Sequence, residues 1–481
     1  MKPLDATGKF WLPGTNSIER HGRLVFDPKD GAVLHLADAL AERTADGAME
    51  RIGGRRSRII GVIDEVSGSQ PVTLVDCGWM HKKKYLVNAI LIGGHFEDDD
   101  DTIFESVIVR LRDAAPWVNK DGIAVEVDSA IEGVDRREMI CRLDRPVASE
   151  ARFARGKVAL DFRWSPETVD LESFKVNQWP EFVIEYDTMT PLVGVIDDAG
   201  HLYNLSSLCV DRADSFDGVY LYRSDLPDKV LSGDVIPGTR RSIELKARLG
   251  NPMQRAEVSS LSAGDVLVPF DDLGGIEAVA TWLNEVPSWM PIVGSLLTMR
   301  SVGIYSENKF LNISSAAEGL HRATVGGSYM LKPDFERLRR KIRNESVPEE
   351  HHPWFIEVMG HANDPSLHRR LRELANEIGV GIYFLAGGDV ERWIKAIKKA
   401  RNNLTHLDKD RDPIDGADLN LLAESLFHVT RLCLLNRIGL ADYRLPQMAE
   451  SSWSPGMSRY VEMAIQRIIG PPPTQPAGEA G

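Results

Sequence analysis

Cysteine is scarce. The 481 residues hold four, Cys77, Cys141, Cys209 and Cys433, far apart in the chain, without a CxxC pair and without a histidine at metal-ligand spacing beside any of them. That excludes a disulfide framework and a zinc finger, and the four are expected to be buried thiols of a reducing cytosol. Long apolar runs are missing as well. The longest, residues 85–92 and residues 289–299 with Pro291 inside, fall short of the ~18 residues that a membrane-spanning helix needs. The opening Met-Lys-Pro-Leu-Asp-Ala-Thr-Gly lacks the apolar core of a secretory leader. The expectation is a cytoplasmic chain with no membrane contact.

Positive charge is in deficit: 57 Lys and Arg stand against 71 Asp and Glu, a net charge of −14. Residues 1–330 carry 36 basic and 50 acidic side chains, whereas residues 331–481 carry 21 of each. Only the C-terminal part can therefore sit comfortably against a polyanion. With 43% hydrophobic and 27% charged residues the chain is globular rather than disordered. Its length exceeds the roughly 250–300 residues at which one core stops growing, so it should split into two or three units.

From Lys9 to about Leu249 the hydrophobic period is two. Val158, Leu160, Phe162 and Trp164 alternate with Ala159, Asp161 and Arg163, and Ile243, Leu245, Ala247 and Leu249 alternate with Glu244, Lys246 and Arg248. Similar segments at 23–26, 32–36, 59–66, 72–77, 85–92, 104–111, 123–127, 181–186 and 219–222 are separated by turn material such as Pro28-Lys29-Asp30-Gly31 and Gly93-Gly94. Many short strands without intervening helices predict a sandwich or barrel. After about Asp271 the period becomes 3.6. Ile276, Val279, Leu283 and Val286 form a stripe that Pro287 should end; Leu367, Leu371, Leu374 and Ile378 form another. The best-punctuated helix spans about 416–438, with Leu419, Leu422, Leu426, Val429 and Cys433 buried, Asp415 as its N-cap and Gly439 at its end. The expected architecture is multidomain α+β. A β-rich, sandwich- or barrel-like region covers 1–265, with a possible division near 130–150; an all-α bundle covers 271–465, and a Pro/Gly-rich disordered tail covers 466–481.

The informative stretch is Val390-Glu-Arg-Trp-Ile-Lys-Ala-Ile-Lys-Lys-Ala-Arg401-Asn402-Asn403-Leu404-Thr405-His406. Val390, Ile394, Ile397 and Leu404 fall at helical spacing, and Arg401, four residues after Ile397, occupies the same stripe. An unpaired buried charge costs several kcal/mol, so Arg401 has a partner or faces a polar cleft or subunit interface. Lys395, Lys398 and Lys399 add positive charge with no acidic residue between Lys395 and Arg401, which suits a phosphate-bearing ligand. Histidine can serve as base and acid near neutral pH, and arginine can hold phosphate oxygens as charge builds on them. Those are the parts of a metal-independent ribonuclease. Spacing alone is also met by an arginine that pairs within the bundle and a histidine that merely ends a helix, which is the commoner case.

Arg401-Asn-Asn-Leu-Thr-His406 resembles the R-x4-6-H motif, with a polar residue after the arginine, of the HEPN superfamily of helical ribonucleases and nucleotide-binding domains. Its context, residues 308–322 upstream and 419–440 downstream, resembles the flanking helices of the Apea-like HEPN family. Gly8-Lys-Phe-Trp-Leu-Pro-Gly14, Gly22-Arg-Leu-Val-Phe-Asp27, Val72-Thr-Leu-Val-Asp-Cys77 and Gly94-His-Phe-Glu97 are similar to the ApeA N-terminal domain of bacterial anti-phage proteins. The middle, about 130–260, matches least. The resemblance implies a metal- and cofactor-free endoribonuclease of abortive infection, acting on cellular RNA such as tRNA. Its ends would be a 2′,3′-cyclic phosphate and a 5′-hydroxyl, and its trigger a phage component such as a protein. It further implies that Arg401 and His406 line a cleft between two protomers of a homodimer or higher even oligomer, with Asn402 on the phosphate or on His406. Five residues separate the two by about 140° and about 7.5 Å on an ideal helix, which agrees with a shared cleft.

Glu318, seven residues after Leu311 and on the same face, is a candidate to orient the arginine or histidine, or else to pair with Arg322. Glu97-Asp98-Asp99-Asp100-Asp101 is expected to be a solvated loop rather than a metal site. Trp11, Trp79 and Trp117 are expected in the core or at its rim. The alternative function is a catalytically silent HEPN module that binds nucleotide or protein behind a lectin-like sensing domain.

Overall fold

The computed structural model describes residues 1–472 except 15–18, 44–49, 53, 66–67, 82, 129–137, 170–173, 229–233, 251–259, 302, 407–412 and 452–455. The chain forms two compact units, Met1–Glu285 and Val286–Gly481. Of the expected tail 466–481, residues 466–469 are the end of a helix rather than disordered, and those from 473 on, with part of the 130–150 stretch, lie outside the described residues.

The first unit is built on β1 (Leu4–Trp11), β2 (Arg20–Asp27), β3 (Gly31–Leu36), β4 (Arg56–Glu65), β5 (Gly68–His81) and β6 (Lys84–Ile92). All neighbours are antiparallel, and β5 and β6 complete the circle β6-β3-β2-β1-β4-β5-β6, a closed six-stranded barrel. Alternation places Phe10, Leu24, Phe26, Leu34, Ile59, Ile63, Leu74, Tyr85 and Ile90 inside, so the interior is packed with side chains. Phe10 lies across Gly61, where an added Cβ would stand 2.5 Å from its ring.

One strand serves both the barrel and a second, open sheet. The first half of β6 pairs with β3 (Val33 opposite Leu86), and its second half pairs with Ile243–Ala247 (Leu245 opposite Leu91). From there the sheet runs outward through β7 (Ile103–Leu111), β8 (Ser149–Phe153), β9 (Gly156–Val169), β10 (Phe174–Pro191), β11 (Phe216–Tyr222) and β12 (Ile243–Ala247), in spatial order β12-β11-β7-β10-β9-β8. The sandwich-or-barrel expectation thus resolves as a barrel with a sheet extension.

Three details differ from the sequence reading. A helix, α1 (Leu192–Val210), interrupts the strands. Fourteen of its nineteen residues are buried, including Asp198, Asn204 and Ser206, so it presents no polar face and hence no 3.6-residue pattern to read. Pro287 does not end its helix: α2 runs over Gly275–Thr298 with Pro287 and Pro291 inside. Both prolines are exposed and four residues apart, so the carbonyls they leave without a donor lie on the solvent side of that helix. Cys141 is half-exposed on a hairpin, unlike the other three thiols.

The acidic run joins β6 to β7 and is held by arginine. Arg58, 4% exposed, donates to Asp99 and Thr102, and Arg223 donates to Asp101 and Asp225.

The second unit is helical, with α3 (Ser306–Thr324), α4 (Lys332–Ser346), α5 (Leu367–Ile378), α6 (Val390–His406), α7 (Gly416–Asn436) and α8 (Met457–Ile469). The central helix is α7. Its Leu419, Leu422, Leu426, Val429 and Cys433 are buried as expected, and the Asp415 carboxylate caps it by accepting from the Ala417 amide at 2.7 Å.

Candidate active site

Helix α6 carries the R-x4-6-H segment. Trp393, Ile394, Ala396, Ile397 and Ala400 are fully buried and define its inner face. The Trp393 indole donates to Ser425 Oγ on α7 at 2.9 Å, and that hydroxyl donates to the Leu385 carbonyl, which fixes the rotation of α6. Arg401 stands at the edge of that buried face. Its guanidinium, 30% exposed, donates to the Glu318 carboxylate, 19% exposed, on α3. The charge on the apolar stripe therefore has its partner, and Glu318 pairs with Arg401 rather than with Arg322. Asn402, the next residue, is exposed. His406 is the last residue of α6, and its side chain lies outside the described residues.

The three lysines separate. Lys395 is exposed and Lys398, one turn before Arg401, half-buried, whereas Lys399 donates to the Ile468 carbonyl at the C-terminus of α8 at 2.6 Å. Its charge is committed to closing that helix.

The model for the family described as ApeA N-terminal domain 1 matches residues 5–282, and that for Apea-like HEPN matches residues 311–443. The chain belongs to the ApeA family. Its helical unit is an Apea-like HEPN domain, and the barrel and open sheet are its ApeA N-terminal domain. No curated protein and no solved structure matches it. Among the described residues no helix is long and apolar enough to cross a membrane, and no group of three His, Cys, Asp or Glu is placed to hold a metal ion.

Behind the ion pair the HEPN domain holds a polar cluster that the sequence does not announce. His321, one turn after Glu318 on α3, is fully buried. Its Nε2 is 2.6 Å from Glu373 and its Nδ1 is 3.2 Å from Arg370 Nη1, both on α5. Arg370 can only donate, so Nδ1 accepts and Nε2 carries the proton that Glu373 receives. Arg369 donates to the other Glu373 oxygen at 2.7 Å, and the hydrogen bonds from Arg369 and then His321 hold that carboxyl below the usual glutamate range. Arg370, 4% exposed, also donates to the Pro365 carbonyl at 3.0 Å. The cluster ties α3 to α5 one turn from Glu318. Its only trace in the sequence is a histidine at i+3 from Glu318; the partners are about fifty residues further on.

Proposed function

We propose that the protein is a HEPN endoribonuclease of anti-phage defence that cuts cellular RNA, such as tRNA, without a metal ion. The observation that carries this reading is the Glu318–Arg401 pair. It holds a partly exposed guanidinium at the head of the Arg401–His406 motif, in a HEPN domain preceded by an ApeA N-terminal domain. In the reaction the RNA 2′-oxygen bonds to its own phosphorus while the bond from phosphorus to the 5′-oxygen breaks. One His406 takes the 2′-hydroxyl proton, a second His406 protonates the departing 5′-oxygen, and Arg401 offsets the charge gathering on the phosphate. Products are a 2′,3′-cyclic phosphate and a 5′-hydroxyl.

Two histidines at one phosphate call for two protomers, which also suits the angle of about 140° between positions five apart on a helix. The working form is a homodimer or higher even oligomer, in the cytoplasm, with Asn402 on the phosphate or on His406. The acidic N-terminal domain repels RNA and serves as sensor and restraint until a phage component, such as a protein, binds. Incubating the protein with total RNA and mapping the new ends tests this. Cyclic-phosphate ends that vanish in Arg401→Ala and in His406→Ala are expected, and cutting at an unchanged rate by both folded variants would rule the site out.

A further inference from the structure

Between Thr324, where α3 ends, and Ser366, which caps α5, the HEPN domain sends out an excursion that rests on little else. Tyr329 and Met330 are clasped to Asn363 by three hydrogen bonds: the Tyr329 amide to the Asn363 carbonyl at 2.8 Å, the Met330 amide to its Oδ1 at 2.9 Å, and its Nδ2 to the Met330 carbonyl at 3.0 Å. The first helix of the excursion is α4. It holds six basic residues against three acidic in a unit that is otherwise close to neutral. Only Phe335 of its fifteen residues is buried.

Sorting α4 by angle separates two faces. Leu331, Phe335, Leu338 and Ile342 fall on one stripe, while Lys332, Arg337, Arg340, Lys341 and Arg343 span the opposite arc of about 180°. Arg337 pairs with Asp334 and Arg339 with Glu336, both at 2.8 Å within the helix. Lys332, Arg340, Lys341 and Arg343 face no carboxylate in an ion pair among the described residues. The remaining acidic residue of the helix, Glu345, lies near its end. On the apolar stripe Phe335 is buried and Ile342 half-buried, but Leu331 and Leu338 are 73% and 40% exposed, and Arg340 and Lys341 are exposed as well. A lipid surface would need the whole apolar face bared for insertion, and its largest side chain, Phe335, is turned inward. The arrangement suits a polyanion met by the cations alone.

The excursion is also rooted beside the candidate site. Its first strand of chain leaves α3 six residues after Glu318, about 9 Å along the helix. Its last returns at α5, where Arg370 touches His321. We infer that the cationic face of α4 is a docking surface for the phosphate backbone of RNA, holding the substrate away from the bond being cut. This inference rests on the ribonuclease reading above. Its consequence is that binding strength comes from RNA outside the cleaved dinucleotide, so a structured RNA should use α4 and a very short one should not.

The test uses the full chain, fluorescently labelled total tRNA, a labelled tetranucleotide and vesicles containing phosphatidylserine. Replacing Arg340, Lys341 and Arg343 together by Gln should weaken tRNA binding roughly 10- to 100-fold at low salt. The slope of log affinity against log salt should fall by about 2. Cleavage of the tetranucleotide should be unchanged. Arg340→Lys with Arg343→Lys keeps the charge and should bind as the parent does, which separates loss of charge from loss of fold. Should the parent bind tRNA and the Gln variant, shown folded by circular dichroism, match its affinity and salt slope, the docking surface is wrong while the ribonuclease reading stands. Should the parent bind no RNA at any salt, the ribonuclease reading falls and takes this inference with it. Vesicle binding by the parent that is lost in the Gln variant, without an effect on tRNA, would overturn the inference in favour of a membrane surface.

Discussion

Glu318 and Arg401 lie 83 residues apart in the chain and meet as an ion pair between α3 and α6. Both are partly exposed, so the pair contributes little to stability, on the order of 1 kcal/mol or less. Its value is geometric. A guanidinium held by one carboxylate has its remaining donors fixed in direction and free for a phosphate.

Glu318→Gln keeps the shape and an acceptor but removes the charge that holds Arg401. The expected result is a fall in kcat of about 10-fold or more with a smaller change in KM, since the loss is felt as charge builds in the transition state. Thermal stability should change little. Glu318→Asp, which restores the charge on a shorter arm, should recover part of the rate. A kcat unaffected by Gln would leave Glu318 as a structural partner only.

A second prediction concerns the N-terminal domain. Asp214, buried after α1, accepts from the Asp113 amide at 3.0 Å, the Ser215 amide at 2.6 Å and the Ser206 hydroxyl at 2.5 Å. Burial, aided by nearby Asp113, pushes its carboxyl up to about 6. Between about pH 4 and 6 the folded state keeps a proton that the unfolded chain has released, so this group's contribution is fully present below pH 4 and lost as pH rises through 6. Asp214→Asn cannot titrate. The unfolding free energy of the variant minus that of the parent should therefore climb across that window by about 1.4 kcal/mol per unit of pKa difference, then level off. Urea titrations at several pH values measure it, and parallel curves would refute the assignment.

The proposed chemistry assigns every proton and charge to His406 and Arg401. Excess EDTA should consequently leave the rate of RNA cleavage unchanged. A rate that collapses with EDTA and returns with magnesium would move the reaction to carboxylates, with the arginine-bound Asp99 and Asp101 loop the first place to look.

What the sequence revealed depended on whether a segment has two different faces. Strands such as Gly156–Val169 alternate, and α5 shows Leu371, Leu374 and Ile378 inside, so both were legible. Helix α1 was not, because burial on all sides erases the period, and Pro287 misled because its effect depends on which side of a helix it occupies. Closure of the barrel was also beyond reach, since it rests on β6 pairing with β5 on one edge and β3 on the other, as was the sheet extension, where β12 replaces β3 halfway along β6. In the candidate site, Arg401 stood out as a charge on an apolar stripe, and Glu318 as an acid on the face of Leu311. His321, Arg370 and Glu373 carried no local signal, because their relation exists only after α3 and α5 have packed. Lys399 looked like a phosphate contact beside Lys398, and only the position of α8 shows that it reaches the Ile468 carbonyl.

The last prediction tests whether the site is shared between chains. If each cleft joined Arg401 of one protomer to the histidine of the other, a heterodimer of Arg401→Ala with His406→Ala would contain one doubly damaged cleft and one intact. Mixing two inactive proteins under conditions where dimers exchange should then restore part of the activity. If Arg401 and His406 act from the same chain, every cleft in the mixture lacks one of them and no activity returns. The proposed mechanism uses two histidines around one phosphate, of which the heterodimer keeps one, together with one Arg401. Recovery should then be partial, below half the parent rate, because a lone histidine must both take and give the proton. Differently tagged chains that co-purify establish that exchange occurred. With exchange shown, a complete absence of recovery would rule out a cleft that works with one Arg401 and one His406 drawn from different chains.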